Sequence, residues 1–373
     1  MRILLTLVLC ICFTFSFAQE LALVREDGLF GYINTAGEYM IKPQFEKAKS
    51  FSEGFAAVEK EKTWGFINTS GEWALEPEYD KVKYFNSGYV LVLKDDQWRF
   101  IDASGKELEI PSTDKHYDFE EGVAFIRQND KIGLIDTAGK IVLEPSFDEI
   151  KKFRDGHAKV RKGELWGMIN TKGETIIPVE YEEIGNDFSP SGVYGKKESD
   201  FGIIHDGSFN AIEGADKVWN FHGNSELTYA RKDKKIGFVN SKGEWVIPPT
   251  FDKARAFSNG LAPVAKSKAW GYINSKGETV IDFQYKDAEI FAENGLAPVK
   301  EKDWGFIDTS GNMIIPTDYS ITAGLAFLSG NNDKGFIGEF ARLKSKKGWG
   351  FFNAKGELLG NKWYENAESF VKN

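Results

Sequence analysis

Apolar and polar positions alternate along this chain in short runs, and the runs return. Trp64-Gly65-Phe66-Ile67-Asn68 places Trp64, Phe66 and Asn68 on one face of a strand, with Gly65 and Ile67 on the other. Asn68-Thr69-Ser70-Gly71 follows as a tight turn. Its Asn opens a type I turn and its Gly takes the left-handed position that closes a bulged hairpin. Glu72-Trp73-Ala74-Leu75 carries apolar residues on both faces, which predicts a second strand covered from two sides. A proline then ends or edges that strand, at Pro43, Pro77, Pro145, Pro178, Pro248 and Pro316. An aromatic-acidic pair such as Tyr79-Asp80 or Phe251-Asp252 comes next. A Phe, a glycine turn and a last strand complete the unit, as in Phe257-Ser258-Asn259-Gly260-Leu261-Ala262-Pro263-Val264. The pattern predicts three to four short strands per unit and no helix of any length.

The first strand's glycine recurs as Gly31, Gly65, Gly133, Gly167, Gly202, Gly237, Gly271, Gly305 and Gly350, with Arg99 standing in the third place. The steps are 34 or 35 residues up to Gly305 and 45 from there to Gly350. A fixed period in this range means a repeat architecture in which each unit buries its apolar face on its neighbours. About ten units account for residues 19–373, giving an all-β tandem array of short antiparallel units.

These residues resemble the WG-repeat family, in which Trp-Gly, Asn-x-x-Gly, the proline and Phe-x-x-Gly recur in that order on bacterial, often secreted, chains. The likeness covers roughly residues 21–373. It implies a short all-β repeat and carries over no catalytic residue.

Departures from the unit are the informative positions. Unit three has Trp98-Arg99, and its stretch from Pro111 to Tyr117 loses the pattern. Unit six, about residues 201–235, is degenerate and carries Ala215-Asp216-Lys217-Val218-Trp219-Asn220-Phe221-His222 where the proline segment belongs. Unit nine has an insertion around Gly330-Asn331-Asn332-Asp333-Lys334. Insertions in repeat proteins map to loops on one face, often the working face.

Glu20-Leu21-Ala22-Leu23-Val24-Arg25 matches the last strand of a unit, such as Gly295-Leu296-Ala297-Pro298-Val299-Lys300, while the final unit stops at Phe370 before that strand. A closed ring could use the first strand to complete the last unit. An open, curved array is the expectation here, because 34 residues is short for a four-stranded propeller blade of ~40 or more and ten blades in one ring would be unusual. Two five-bladed propellers divided near Asn186 to Asp200 are the other alternative.

Composition adds a compartment. Arg2 precedes an apolar run from Ile3 to Phe17, and Ser16-Phe17-Ala18 ends in a small residue, which reads as a secretory signal peptide over 1–18. The run is shorter than the ~20 residues a membrane span needs, and no other long apolar stretch follows. The expected location is the periplasm or the exterior. Cys10 and Cys12 both lie in the leader, so no disulfide or thiolate metal site is expected in the mature chain. The net charge of −9 argues against nucleic acid and against anionic membrane surfaces.

A catalytic group is singular in a chain, whereas a residue present in every unit builds the unit. The Trp-Gly tryptophans Trp64, Trp166, Trp270, Trp304 and Trp349 are therefore read as packing. Trp73 and Trp245 occupy a slot that holds Tyr39, Thr175 and Thr279 elsewhere, and are candidates for surface aromatics. None of His116, His157, His205 and His222 has metal-site spacing, and no nucleophile elbow, P-loop or calcium loop occurs. No catalytic residue, metal or cofactor is assigned. The expected function is a non-enzymatic binding or scaffold protein of the envelope, taking a protein or glycan partner. Its candidate ligand-binding residues are Trp219, Phe221 and His222, with Trp73 and Trp245 accessory. A glycan-directed envelope hydrolase with its acid and base in unit three or six, and a purely structural spacer, are the alternatives.

Overall fold

The computed structural model describes residues 20–321 and 334–372. Residues 1–18, the expected leader, and residues Gly330 to Asp333 of the insertion lie outside the described residues. Among those described, regular structure is β throughout, apart from one short 3-10 turn at Leu359–Asn361. Sheets follow one another in chain order. A representative one pairs Glu149–Ile150, His157–Lys162, Leu165–Asn170 and Thr175–Tyr181, each strand antiparallel to the next.

Most sheets therefore begin on a short strand that follows the aromatic-acidic pair; the second sheet has only the bridge from Ala48 to Val58 there, and the fourth has three strands without it. This shifts the unit boundaries from the sequence reading. Trp219, Phe221 and His222 follow the short strand Lys217–Val218, which pairs with Thr228–Lys232, so they belong to the seventh sheet rather than to the sixth unit.

The turn chemistry is as the residues dictate. The Asn68 side chain accepts from the amides of Ser70 and Glu72 at 3.0 Å, the Gly71 amide donates to the Asn68 carbonyl at 2.9 Å, and Gly71 has φ of 85°. The Trp-Gly glycine has a different cause. Trp64 faces Tyr79 and Phe66 faces Leu75, so four steps of the outer strand oppose two of the inner, and the surplus bulges at Pro77. That bulge leans on Gly65, where a Cβ would stand 2.7 Å from the Leu75 carbonyl oxygen and 2.8 Å from the Pro77 nitrogen. Sheet three, with Arg99 at this place, lacks the bulged strand and keeps only an isolated bridge from Ile101 to Glu107.

The core is a series of layers between consecutive sheets. In seven of the ten layers an aromatic after the Trp-Gly glycine's place packs on a Phe of the next sheet, as Tyr32 does on Phe51 at 4.6 Å, Phe66 on Phe85 at 5.0 Å and Phe238 on Phe257 at 4.8 Å; Leu134, Met168 and Ile203 take the place in the other three. Phe51, Phe85, Phe119, Phe153, Phe221, Phe257, Phe291, Phe336 and Phe370 are all buried at this place.

The same layer joins the two ends of the chain. Glu20–Glu26 pairs with Asn366–Ala367 and Val371–Lys372, and Phe351 packs on Phe370 at 4.8 Å. Ala22, Val24 and Ile33 of the first sheet share a core cluster with Phe340, Phe351 and Tyr364 of the tenth. The array is thus a closed ring of ten small sheets, which corrects the expectation of an open array. The physical reason is burial: Ala22 and Val24 are 0% exposed because the end of the chain covers them. Nor does the ring divide at Asn186 to Asp200, since Arg154 reaches Asp187 at 2.9 Å and Asn220 reaches the same carboxylate at 2.5 Å, linking sheets five, six and seven.

The outer strand departs from expectation too. One of its faces is uncovered, leaving Met40, Ile176, Val246 and Val280 exposed. Prolines and flanking charges on this edge strand discourage pairing with other chains.

Candidate functional site

The residue two places before the buried Phe varies across sheets one to nine; in sheet six, where Asp187 stands in place of that Phe, it is Gly185. Around the ring it is Glu368, Lys49, Lys83, Tyr117, Lys151, Gly185, Trp219, Arg255 and Glu289. Two electrostatic contacts show where this position and its successor face. Asp118 of sheet four feels Lys49 of sheet two as well as Lys83 and Lys152 of its neighbours, and Tyr84 of sheet three feels Glu368 of sheet one. Groups two sheets apart meet only where the sheets converge, so the short strands line the inner side of the ring.

Repeated cations fix this inner side by a common device. Lys49 of sheet two donates to the Val82 carbonyl of sheet three at 2.6 Å, and Lys159 of sheet five to the Ile184 carbonyl of sheet six at 2.8 Å. Arg255 donates to the Ala288 carbonyl, and Arg342 to that of Ala367 at 2.6 Å across the seam. Each of these cations lies over the Trp-Gly tryptophan of its own sheet, Lys159 over Trp166 at 4.2 Å, Arg255 over Trp270 and Arg342 over Trp349 at 4.6 Å, and Lys49 over Trp64 at 5.6 Å. The Trp-Gly tryptophans are therefore platforms for cations that clamp the next sheet, an addition to their reading as packing.

Two arcs of the inner side differ in charge. Sheets two, three and five bring Lys49, Lys83 and Lys152 around Asp118 of sheet four. Burial pushes the Asp118 carboxyl above the usual carboxylate range against the pull of these lysines, and its Oδ1 is buried without a hydrogen-bond partner. Glu120 is raised by the same cause while it accepts from the Phe153 amide at 3.2 Å. Across the ring Glu289 is held by Arg255 at 2.8 Å and Lys334 at 2.9 Å, and Glu368 by Arg342 at 2.9 Å.

The candidate residues from the sequence separate into two places. Trp219 occupies the variable inner position, stacks on Tyr229 with ring centroids 4.7 Å apart, and lies under Lys217 at 4.8 Å. His222 is half-buried beside it in the chain, and its carbonyl accepts from the Ser225 amide. Phe221 is 5% exposed in the layer between sheets six and seven, so it supports Trp219 from behind. Gly185, the residue of sheet six at the inner position, leaves the space that the Asn220 side chain fills, since a Cβ there would collide with Asn220 Oδ1.

Trp73 and Trp245 lie on outer strands. Trp73 packs against the bulge near Gly65, and Trp245 donates its indole N–H to the Glu213 carbonyl of the preceding sheet at 3.1 Å. They are not brought together with Trp219. The lysine arc escaped the sequence reading, although Lys47-Ala48-Lys49 and Lys81-Val82-Lys83 repeat at the unit step.

Comparison with known proteins follows the fold. No curated protein matches the chain. Among solved structures it is similar to a eukaryotic initiation factor, with 9% identity, 94% of this chain and 97% of that one covered, and a TM-score of 0.49. It is also similar to Hsv2p of Kluyveromyces lactis, at 9% identity, 70% and 96% coverage and a TM-score of 0.25. PorZ, a surface component of the type-IX secretion system of Porphyromonas gingivalis, aligns at 10% identity over 94% of this chain and 58% of its own, with a TM-score of 0.25. A family described as WG containing repeat matches at residues 30–64, 64–98, 132–166, 166–194, 236–268, 270–303 and 304–320. These seven matches span more than half of the sequence, and the chain belongs to the WG-repeat family.

Proposed function

We propose that this is a non-enzymatic binding protein of the bacterial envelope or exterior, exported by the leader at 1–18, which holds a protein or glycan partner against the inner side of its ring. One observation carries the reading. Positions that build the ring repeat their residue type, as the buried Phe series does, whereas the inner position holds six residue types over nine sheets: lysine in three, glutamate in two, and tyrosine, glycine, tryptophan and arginine in one each. A purely structural spacer has no use for that variety. Contacts from several sheets would act together, each weak and their sum useful.

The test is a printed array of bacterial glycans probed with labelled protein beginning at Gln19. Wild type should retain a defined set of glycans. The Trp219→Ala/His222→Ala variant should lose it, and Trp73→Ala/Trp245→Ala on the outer strands should keep it. Retention unchanged in the first variant removes Trp219 and His222 from the site.

A glycan-directed hydrolase is the second reading, favoured by Asp118 and Glu120, two carboxyls raised by burial that sense one another. Both are committed elsewhere, Glu120 to the Phe153 amide and to Lys152 at 3.5 Å and Asp118 with one oxygen occluded. Release of reducing ends from any array glycan, abolished by Glu120→Gln, would replace the binding reading by this one.

A further inference from the structure

The chain carries a net charge of −9, yet lysines without an ion-pair partner among the described residues collect on its inner side. Apart from Asp118, the acids there are closed off in ion pairs, such as Glu289 with Arg255 and Lys334, and Glu368 with Arg342. The lysines of sheets two to four are not. Lys47 pairs with Glu59, but Lys81, Lys83 and Lys115 have no carboxylate within ion-pair distance among the described residues. All three are exposed; Lys81 and Lys83 flank the buried Val82 and share a face of the pleat, and Lys115 stands one unit step of 34 residues after Lys81, in a segment of sheet four without a regular strand. Tyr84 and Tyr117 are interleaved with them, each half-buried.

Resting on the reading of the inner side as the binding surface, we propose that the arc of sheets two to five binds an acidic polysaccharide, its carboxylates on Lys81, Lys83 and Lys115 and its sugar faces on the two tyrosines. Charge complementarity selects a polyanion. Charge density selects the class. Asp118, Glu120 and Glu149 interrupt the arc, so it suits a polymer with anions spaced by sugar rings better than contiguous phosphodiesters. Asp118 feels Lys83, Lys49 and Lys152 without an ion pair to any of them among the described residues, and it opposes any bound anion.

The experiment is calorimetric titration of the protein with polygalacturonate oligomers, neutral dextran and single-stranded DNA, at low and at physiological salt. Polygalacturonate should bind, with affinity falling about tenfold or more as salt rises, because association releases counterions. Dextran should not bind. The Lys81→Ala/Lys83→Ala/Lys115→Ala variant should lose at least about tenfold at low salt, and Asp118→Asn should bind several-fold more tightly, since one repelling charge screened by a water-like dielectric is worth roughly that much. Lys242→Glu, in an exposed turn of sheet seven, serves as the charge control and should bind as wild type does.

No binding of polygalacturonate, a triple variant that binds like wild type, or an equal loss in Lys242→Glu overturns the proposal, and tighter binding of DNA at equal charge overturns the polysaccharide class. A protein whose array retention is lost in Trp219→Ala/His222→Ala but which ignores polygalacturonate keeps the inner binding surface and loses only the acidic ligand.

Discussion

Gly37 of the first sheet lies against Leu359 of the tenth, where a Cβ would stand 3.2 Å from Leu359 Cγ, and Gly71 meets Ile41 of the sheet before it in the same way at 3.3 Å. The seam is thus built like every other junction. A circular permutant that joins the natural ends by a short linker and opens between Glu53 and Gly54 should fold with nearly wild-type stability, because its new ends fall in an exposed turn. Val24→Asp, by contrast, buries a charge in the seam at a fully covered position and should cost about 3 kcal/mol or more. Thermal unfolding checks both. Equal stability of Val24→Asp and wild type would mean that the ends part in solution.

Gly65 tolerates no side chain because the obstacles are backbone atoms, the Leu75 carbonyl and the Pro77 nitrogen. Gly65→Ala should destabilise by about 1–3 kcal/mol through forced movement of the bulge. Arg99→Gly in sheet three should gain nothing from the freed space and lose a few tenths of a kcal/mol in chain entropy, since no bulged strand covers that place. Urea unfolding of the two variants tests the contrast. Equal effects would detach the Trp-Gly glycine from the bulge.

Much of this was legible in the residues. Period, strand count, the Asn-x-x-Gly turn and the role of the repeated aromatics all followed from alternation and turn chemistry. Closure was also written there, in the match of Leu21 to Arg25 with Leu296 to Lys300 and the stop at Phe370. It was outweighed by a length argument that assumed four full strands per blade. The fourth strand needs only two residues, such as Lys81–Val82, and 34 residues then suffice. What alternation could not give is which end of a sheet faces inward. Period two assigns Trp219 and Trp73 to faces of strands but not to the inner or outer side of a ring, so residues on opposite sides were grouped as one site.

The seam carries a pH-sensitive clasp. Glu26 accepts from Tyr39 and is bound by Lys362 at 2.9 Å, which also donates to the Tyr39 hydroxyl at 3.0 Å. These hydrogen bonds hold the Glu26 carboxyl below the usual carboxylate range. A depressed folded-state value contributes stability that is present above the unfolded value and is lost as pH falls through the folded one. Asp118, Glu120 and Glu368 are raised by burial and act with the opposite sign, favouring the fold as pH falls toward the ordinary carboxylate range. Stability should therefore peak at mildly acidic pH and drop below about 4. Glu26→Gln should flatten the low-pH drop and Asp118→Asn the rise from neutrality, both read from thermal midpoints across pH; unchanged profiles would remove these groups from the balance.

Arg255 links four partners: Asp287 at 3.0 Å, Glu289 at 2.8 Å, the Ala288 carbonyl and the face of Trp270. Glu289 is 8% exposed, so Arg255→Ala strands a buried carboxylate with Lys334 as its remaining cation. The cost should be about 2–4 kcal/mol, near the range for breaking a buried pair and reduced by the lysine that stays. Arg255→Lys keeps the charge but cannot reach carbonyl, carboxylate and indole with one planar group, and should recover less than half of the loss. A double-mutant cycle with Glu289→Gln separates the two contributions. If the guanidinium acts through Glu289, the double variant should be more stable than Arg255→Ala alone, because the uncompensated charge is gone. A strictly additive cycle would instead assign the clamp's worth to the Ala288 carbonyl and the Trp270 face.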